Sequence, residues 1–154
     1  MRKPKNRLLL DSGVTVMWHI ATEQSSLQAR EVLLDGQSAT VTFACSDQLP
    51  IEITSAFLKA MRRGRISRER ARQAISEILA IPFTVFRATE RILLRAFEIA
   101  EVGNQRLYDC VPVAMAERHS AEFWTADERL YNALHGTFPF VRWIAHYQQK
   151  RPSP

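Results

Sequence analysis

The sequence predicts an α/β fold built around a mainly parallel sheet. Short apolar runs alternate along the chain with longer segments in which apolar residues recur at helical spacing. Strands that alternate with helices in this way form parallel sheets. The 154 residues, 46% of them hydrophobic, suit one domain with a sizeable core. We therefore expect a single domain over residues 1–154, with its core at about 7–134 and a C-terminal edge segment at 137–154.

The predicted strands are short apolar runs rich in β-branched and aromatic residues. They lie at residues 7–10, 40–44, 83–86 and 122–125, with an edge strand added at 141–144.

The predicted helices show an apolar stripe at helical spacing, and several have recognisable start and stop signals. They lie at residues 25–34, 46–63, 67–82, 89–100, 108–118 and 127–134. The first is expected to stop at Asp35-Gly36, and the second to start at Ser46-Asp47 with Pro50 in its first turn. Gly64 separates the second and third helices, which predicts a helical hairpin with an arginine-rich tip.

Positive charge is in modest excess and is unevenly distributed. Lys and Arg number 21 against 16 Asp and Glu, a formal net charge of +5. Such an excess favours a polyanionic partner, and the planar fork of arginine suits phosphate. The alternative is a solvated charged face. The central cluster contains Arg62, Arg63, Arg65, Arg68, Arg70 and Arg72.

Composition argues against several classes of protein. No apolar run approaches the roughly 20 residues of a membrane-spanning helix, so we expect a cytoplasmic protein. Cys45 and Cys110 lie in apolar stretches and are expected to be buried, reduced thiols. No Cys or His spacing typical of a zinc site occurs.

Four carboxylates stand at positions where a site is expected. Asp11 and Asp127 each follow a predicted strand, Asp109 opens a predicted helix, and Glu52 points along an apolar helical stripe. Ligands of parallel α/β sheets bind at the carboxyl ends of the strands, near the switch in strand order. The sequence therefore indicates one acidic site at that edge.

Each acid also has a simpler explanation. The three aspartates could be helix N-caps, and Glu52 could pair with an arginine such as Arg95 or Arg106. As a set, however, crowded carboxylates resist ionising together unless a cation is bound. A ligand set made only of carboxylates suits Mg²⁺ or Mn²⁺.

The residues around these acids resemble the four acidic motifs of PIN domains, most closely those of VapC-type toxins of bacterial toxin–antitoxin pairs. The matching segments are LLLDS at 8–12, LPIEI at 49–53, LYDC at 107–110 and TADERL at 125–130. The resemblance spans roughly residues 7–134 and includes the hairpin around Gly64.

This resemblance implies a three-layer α/β/α sandwich and a magnesium-dependent endoribonuclease that is inhibited by a small antitoxin and commonly dimerises. Asp11 and Asp109 would be the main Mg²⁺ or Mn²⁺ ligands, and Glu52 and Asp127 would complete the site. The hairpin arginines would hold the RNA backbone. Those singled out as substrate-binding are Arg62, Arg63 and Arg65.

Two residues depart from the family pattern. Gly13 stands two residues after Asp11, where relatives usually carry a hydroxyl or amide side chain, so it supplies no support to a metal. Pro112 requires the helix that carries Asp109 to begin close to that residue.

The sequence is also compatible with other functions. A PIN-like module that only binds RNA or protein is the main alternative, and a DNA nuclease is not excluded by the residues. A phosphatase of the haloacid-dehalogenase type would need a second Asp where Gly13 stands.

Overall fold

The computed structural model describes residues 6–21 and 25–150. The elements in chain order are β1 (Asn6–Leu10), α1 (Ser12–Val16), α2 (Ser26–Gln37), β2 (Val41–Ser46), α3 (Leu49–Arg62), α4 (Arg68–Leu79), β3 (Thr84–Phe86), α5 (Glu90–Gly103), α6 (Leu107–His119), β4 (Glu122–Thr125), α7 (Glu128–Leu134), β5 (Val141–Trp143) and a 3₁₀ helix (Ile144–His146).

The strands form one five-stranded sheet in the order β3-β2-β1-β4-β5, and every neighbouring pair is parallel. The strand β1 is central. From it the chain first builds outward through β2 and β3, and then returns to add β4 and β5 on the other side. The switch point therefore lies between the carboxyl ends of β1 and β4, where a crevice is expected.

Helices cover both faces of the sheet, which confirms the three-layer α/β/α arrangement. Alternate side chains of β1 point to opposite faces. Leu9 packs with α5, α6 and α7, whereas Leu8 and Leu10 pack with α1 and α2. The hairpin of α3 and α4 packs beside Cys45 on the second of these faces.

The predicted stop of the first long helix at Asp35-Gly36 is wrong, because α2 continues to Gln37. A Cβ atom on Gly36 would lie 2.2 Å from the Phe43 ring, so this glycine permits a close approach of α2 to β2. Asp35 is buried beside it and accepts hydrogen bonds from the Tyr147 hydroxyl (2.6 Å) and the Lys150 amide (2.7 Å). These bonds fix the C-terminal segment against α2.

Two other helix starts differ from expectation. No side chain caps α3, which begins at Leu49 with Pro50 in its first turn as predicted. The predicted cap, Asp47, instead accepts a hydrogen bond from the Ala88 amide at 3.2 Å. Asp109 does not open α6, because that helix starts two residues earlier, and Pro112 lies inside it. The five-residue helix α1 was not predicted, since it is too short to show an apolar stripe.

Cys45 and Cys110 are buried and free, as expected. Within the described residues, no helix is both long and apolar enough to cross a membrane.

Candidate metal centre

Asp11 lies between β1 and α1, at the carboxyl edge of the central strand. One carboxylate oxygen, Oδ1, accepts a hydrogen bond from the Val14 amide (2.8 Å) and caps α1. The other, Oδ2, accepts from the Thr125 hydroxyl (2.5 Å) and the Ala126 amide (3.1 Å). Burial nevertheless raises the pKa of Asp11, and the neighbouring charge of Asp127 adds to that rise.

Asp127 follows the adjacent strand β4 and caps α7, accepting from the Leu130 amide at 3.0 Å. The backbone amide of Asp127 donates to the Thr125 hydroxyl at 3.0 Å. This fully buried hydroxyl therefore connects Asp127 to Asp11 across two parallel strands. Thr125 was not among the residues predicted for the site, although its place in the Thr-Ala-Asp run was a signal.

Glu52 enters the site from the first turn of α3. Burial raises the pKa of Glu52, and the charges of Asp11 and Asp109 raise it further, while a hydrogen bond with the Ser12 side chain opposes them. The suggested partners of Glu52 are wrong. Arg95 binds Glu98 and Glu117 instead, and Arg106 binds Asp109.

Asp109 is the third residue of α6 and is not its N-cap, a place taken by Arg106. Of the three aspartates that could have been helix N-caps, Asp11 and Asp127 are caps and Asp109 is not. The Asp109 Oδ2 atom accepts a hydrogen bond from Arg106 Nε at 3.0 Å. The Asp109 side chain thus lies at the site without capping a helix.

Arg129 is a further site residue that the sequence analysis did not single out. Its Nη2 atom lies 3.6 Å from Asp109 Oδ2 and 3.5 Å from Asp127 Oδ2. The guanidinium therefore stands between two of the four acids and neutralises part of their charge. Its position two residues after Asp127, at the start of a short helix, was the available signal.

The four acids lie within electrostatic reach of one another, since the charge of Asp127 acts on Asp11 and the charges of Asp11 and Asp109 act on Glu52. Among the described residues, no group of three or more His, Cys, Asp or Glu side chains is arranged to hold a metal. The donor set itself fits a hard divalent cation, because it consists of carboxylates. Burial first, and the charges of neighbouring carboxylates after it, raise the pKa of Asp11 and Glu52. An ion bound by Asp109 and Asp127 would share these two carboxylates with the Arg129 guanidinium.

Packing explains the departure at Gly13. A Cβ atom there would lie 2.9 Å from the Ala126 Cβ and 3.3 Å from Asp11 Oδ1, so a larger side chain would crowd the site. The side chain of the neighbouring Ser12 forms a hydrogen bond with Glu52. Support for one acid thus comes from residue 12, one position earlier than in the family pattern.

The arginines predicted to bind substrate lie at the exposed tip of the α3–α4 hairpin. They are about ten residues from Glu52, which is roughly 15 Å along a helix. A role for Arg62, Arg63 and Arg65 in substrate binding stays a prediction.

No protein-family model matches the chain, and no curated protein matches its sequence. Solved structures do match its fold. PAE2754 from Pyrobaculum aerophilum has 19% identity and a TM-score of 0.65, covering 86% of this chain and 82% of that one. VapBC2 from Rickettsia felis, bound to a DNA fragment from its promoter, has 13% identity and a TM-score of 0.61, with 89% and 96% covered.

The match to VapC20 from Mycobacterium tuberculosis, described as a sarcin–ricin loop cleaving toxin, has 14% identity and a TM-score of 0.60. It covers 88% of this chain and 98% of that one. The fold expected from the four acidic motifs is confirmed by these likenesses: the chain has the fold of the VapC-type PIN domain.

Proposed function

We propose that this protein is a metal-dependent endoribonuclease, the toxin of a type II toxin–antitoxin pair. The observation that carries the proposal is the convergence of Asp11, Glu52, Asp109 and Asp127 on one edge of the sheet. That edge is the switch point between β1 and β4, where α/β sheets bind their ligands. The substrate would be an RNA phosphodiester, hydrolysed to two fragments.

The acids would hold Mg²⁺, or Mn²⁺ in its place, with Asp11 and Asp109 as the main ligands. Glu52 and Asp127 would complete the site directly or through water. When bound, such an ion polarises the scissile phosphate and lowers the pKa of a bound water. The protein orients the ligands, since the Thr125 hydroxyl and the Ala126 amide fix Asp11, and ligands held by outer hydrogen bonds bind metal more tightly.

An RNA substrate and an antitoxin partner are supported by the structural neighbours. One is described as a toxin that cleaves the sarcin–ricin loop, and another is a toxin–antitoxin complex from Klebsiella pneumoniae. The exposed arginines at the hairpin tip would contact the RNA backbone, which contributes affinity without reading sequence. The setting proposed for this activity is the cytoplasm.

A homodimer is part of the proposal. On α5, the side chains of Leu94 and Phe97 are 59% and 61% exposed, and Val102 beyond them is 88% exposed. A second copy of the chain would cover such apolar surface. Light scattering at high micromolar concentration tests this, and a monomer there would count against the dimer.

A PIN-like module that binds RNA or protein without cleaving is the second candidate. The ion pairs of Arg129 with Asp109 and Asp127 favour it, because an arginine already fills part of the acidic site. The retention of all four acids opposes it.

Cleavage of a structured RNA pool by the purified protein separates the two candidates. We expect cutting with Mg²⁺ or Mn²⁺, none in EDTA, and a loss of about 100-fold or more in Asp109→Asn, since even residues supporting metal ligands contribute about 10–100-fold. Glu101→Gln, which alters an exposed acid of α5, is the control and should cut normally. RNA binding without cleavage under any divalent ion would establish the binding module instead.

A further inference from the structure

An open cleft of about 500 Å³ lies beside the acidic site, and the residues that line it are all polar or charged. The lining residues are Asn104, Gln105, Arg106 and Arg129. Two of these are guanidinium groups and two are amides, and no carboxylate lines the cleft. Such a surface is complementary to an anion.

Arg129 is held in a position that leaves donor capacity toward this cleft. Its Nη1 atom donates to Gln105 Oε1 at 2.9 Å, and Gln105 Nε2 is in turn anchored on the Gly103 carbonyl at 2.8 Å. Its contacts with Asp109 and Asp127, at 3.6 and 3.5 Å, are longer than good hydrogen bonds. A guanidinium has five N–H donors, so these contacts do not exhaust it.

Arg106 faces the same cleft from the N-cap of α6. A cation is disfavoured at the N-terminus of a helix, where the macrodipole favours anions, and no side chain caps this 13-residue helix. Arg106 donates one hydrogen bond to Asp109, and its side chain is nevertheless 75% exposed. Two arginines therefore lie beside the start of α6, and their contacts with Asp109 and Asp127 do not exhaust their N–H donors.

We propose that this cleft is a phosphate subsite, in which Arg106 and Arg129 bind a backbone phosphodiester of the nucleic acid next to the one being cleaved. The proposal rests on the proposed function. The same arginines contact Asp109 and Asp127, so a phosphate held by them lies beside the acids.

The competing explanation is that the arginines only neutralise the acids. Binding of a fluorescent single-stranded RNA, measured by anisotropy in EDTA over a series of salt concentrations, distinguishes the two. We expect Arg129→Gln and Arg106→Gln each to weaken binding and to reduce the slope of log Kd against log salt by about one. Arg118→Gln is the matched control, because it alters an exposed arginine at the other end of α6, roughly 18 Å away.

Arg129→Lys provides a variant that keeps the charge, and it should keep most of the salt slope. Circular dichroism confirms that each variant is folded. Unchanged affinity and slope in both glutamine variants would overturn the proposal, as would a wild type that binds no RNA. If inorganic phosphate raises the Tm of wild type but not of Arg129→Gln, while RNA affinity is equal, the cleft binds free phosphate and the proposal is likewise wrong.

This experiment does not depend on cleavage. A protein that binds RNA through the two arginines yet never cuts it would contradict the proposed nuclease and leave the phosphate subsite standing. Glutamine variants with an unchanged salt slope, in a protein that does cleave RNA, would overturn the phosphate subsite and leave the proposed nuclease standing.

Discussion

Single residues decide how the acidic edge is organised. The Thr125 hydroxyl donates to Asp11 and accepts from the Asp127 amide, so one buried side chain sets the relation between two acids on neighbouring strands. Gly13 lies beside this contact and is confined by Ala126. The sequence predicted the acids, because their chemistry is visible in their type and spacing. It did not predict the supporting residues, because a hydroxyl or a glycine acquires its role only from its neighbours in space.

Glu52 is expected to make the stability of the metal-free protein depend on pH. Its pKa is raised above the ordinary value of 4.5, first by burial and then by the charge of Asp11. Below the ordinary value both the folded and unfolded states bind the proton, and the residue does not alter stability. As the pH rises above it, the unfolded chain ionises first, so the free energy of unfolding falls.

We therefore expect Glu52→Gln to be more stable than wild type in EDTA at neutral pH, with the difference growing from about pH 4.5 upward. Gln keeps the side-chain size and can still bond Ser12. Urea denaturation between pH 4 and 7 measures the effect, with Glu101→Gln as the exposed control. Saturating Mn²⁺ should make wild type the more stable of the two, because only wild type offers the Glu52 carboxylate to the ion. Parallel pH curves for wild type and Glu52→Gln would show that the pKa of Glu52 is not raised in the folded protein.

Among the elements, those with strong patterns were predicted best. The strand β4 has the expected bounds, and α4 begins within one residue of its expected start at residue 67. The short helix α1 and the end of α2 were missed for different physical reasons. Five residues are too few to show periodicity, and Gly36 resembles a stop signal although it serves packing against Phe43.

Gly36→Ala tests this packing interpretation. Alanine favours helix by about 1 kcal/mol over glycine, yet its Cβ would meet the Phe43 ring at 2.2 Å. We expect a net loss of about 1–3 kcal/mol in the free energy of unfolding from overpacking, measured by urea denaturation. Gly136→Ala is the control, since no atom lies within 4 Å of its Cβ position, and its stability should change by less than about 0.5 kcal/mol or increase slightly. A stabilised Gly36→Ala would mean that α2 does not press on this ring.

At the scale of the whole molecule, the strand order assembles the site. Asp11 and Asp127 are 116 residues apart in the chain, by subtraction of their numbers, yet they follow adjacent strands. The alternation of strands and helices predicted a parallel sheet. The resemblance of the acidic motifs to those of PIN domains predicted the three-layer arrangement. The sequence alone could not show that Arg129 would stand between Asp109 and Asp127, because that contact joins side chains from α6 and α7.

The central claim is that the four acids form one divalent metal site. Diffraction from crystals grown with Mn²⁺, collected at a wavelength where manganese scatters anomalously, tests it most directly. We expect an anomalous peak at roughly 2.0–2.6 Å from carboxylate oxygens of Asp11 and Asp109. No peak at this edge at saturating Mn²⁺, with Arg129 still paired to Asp109 and Asp127, would contradict the claim.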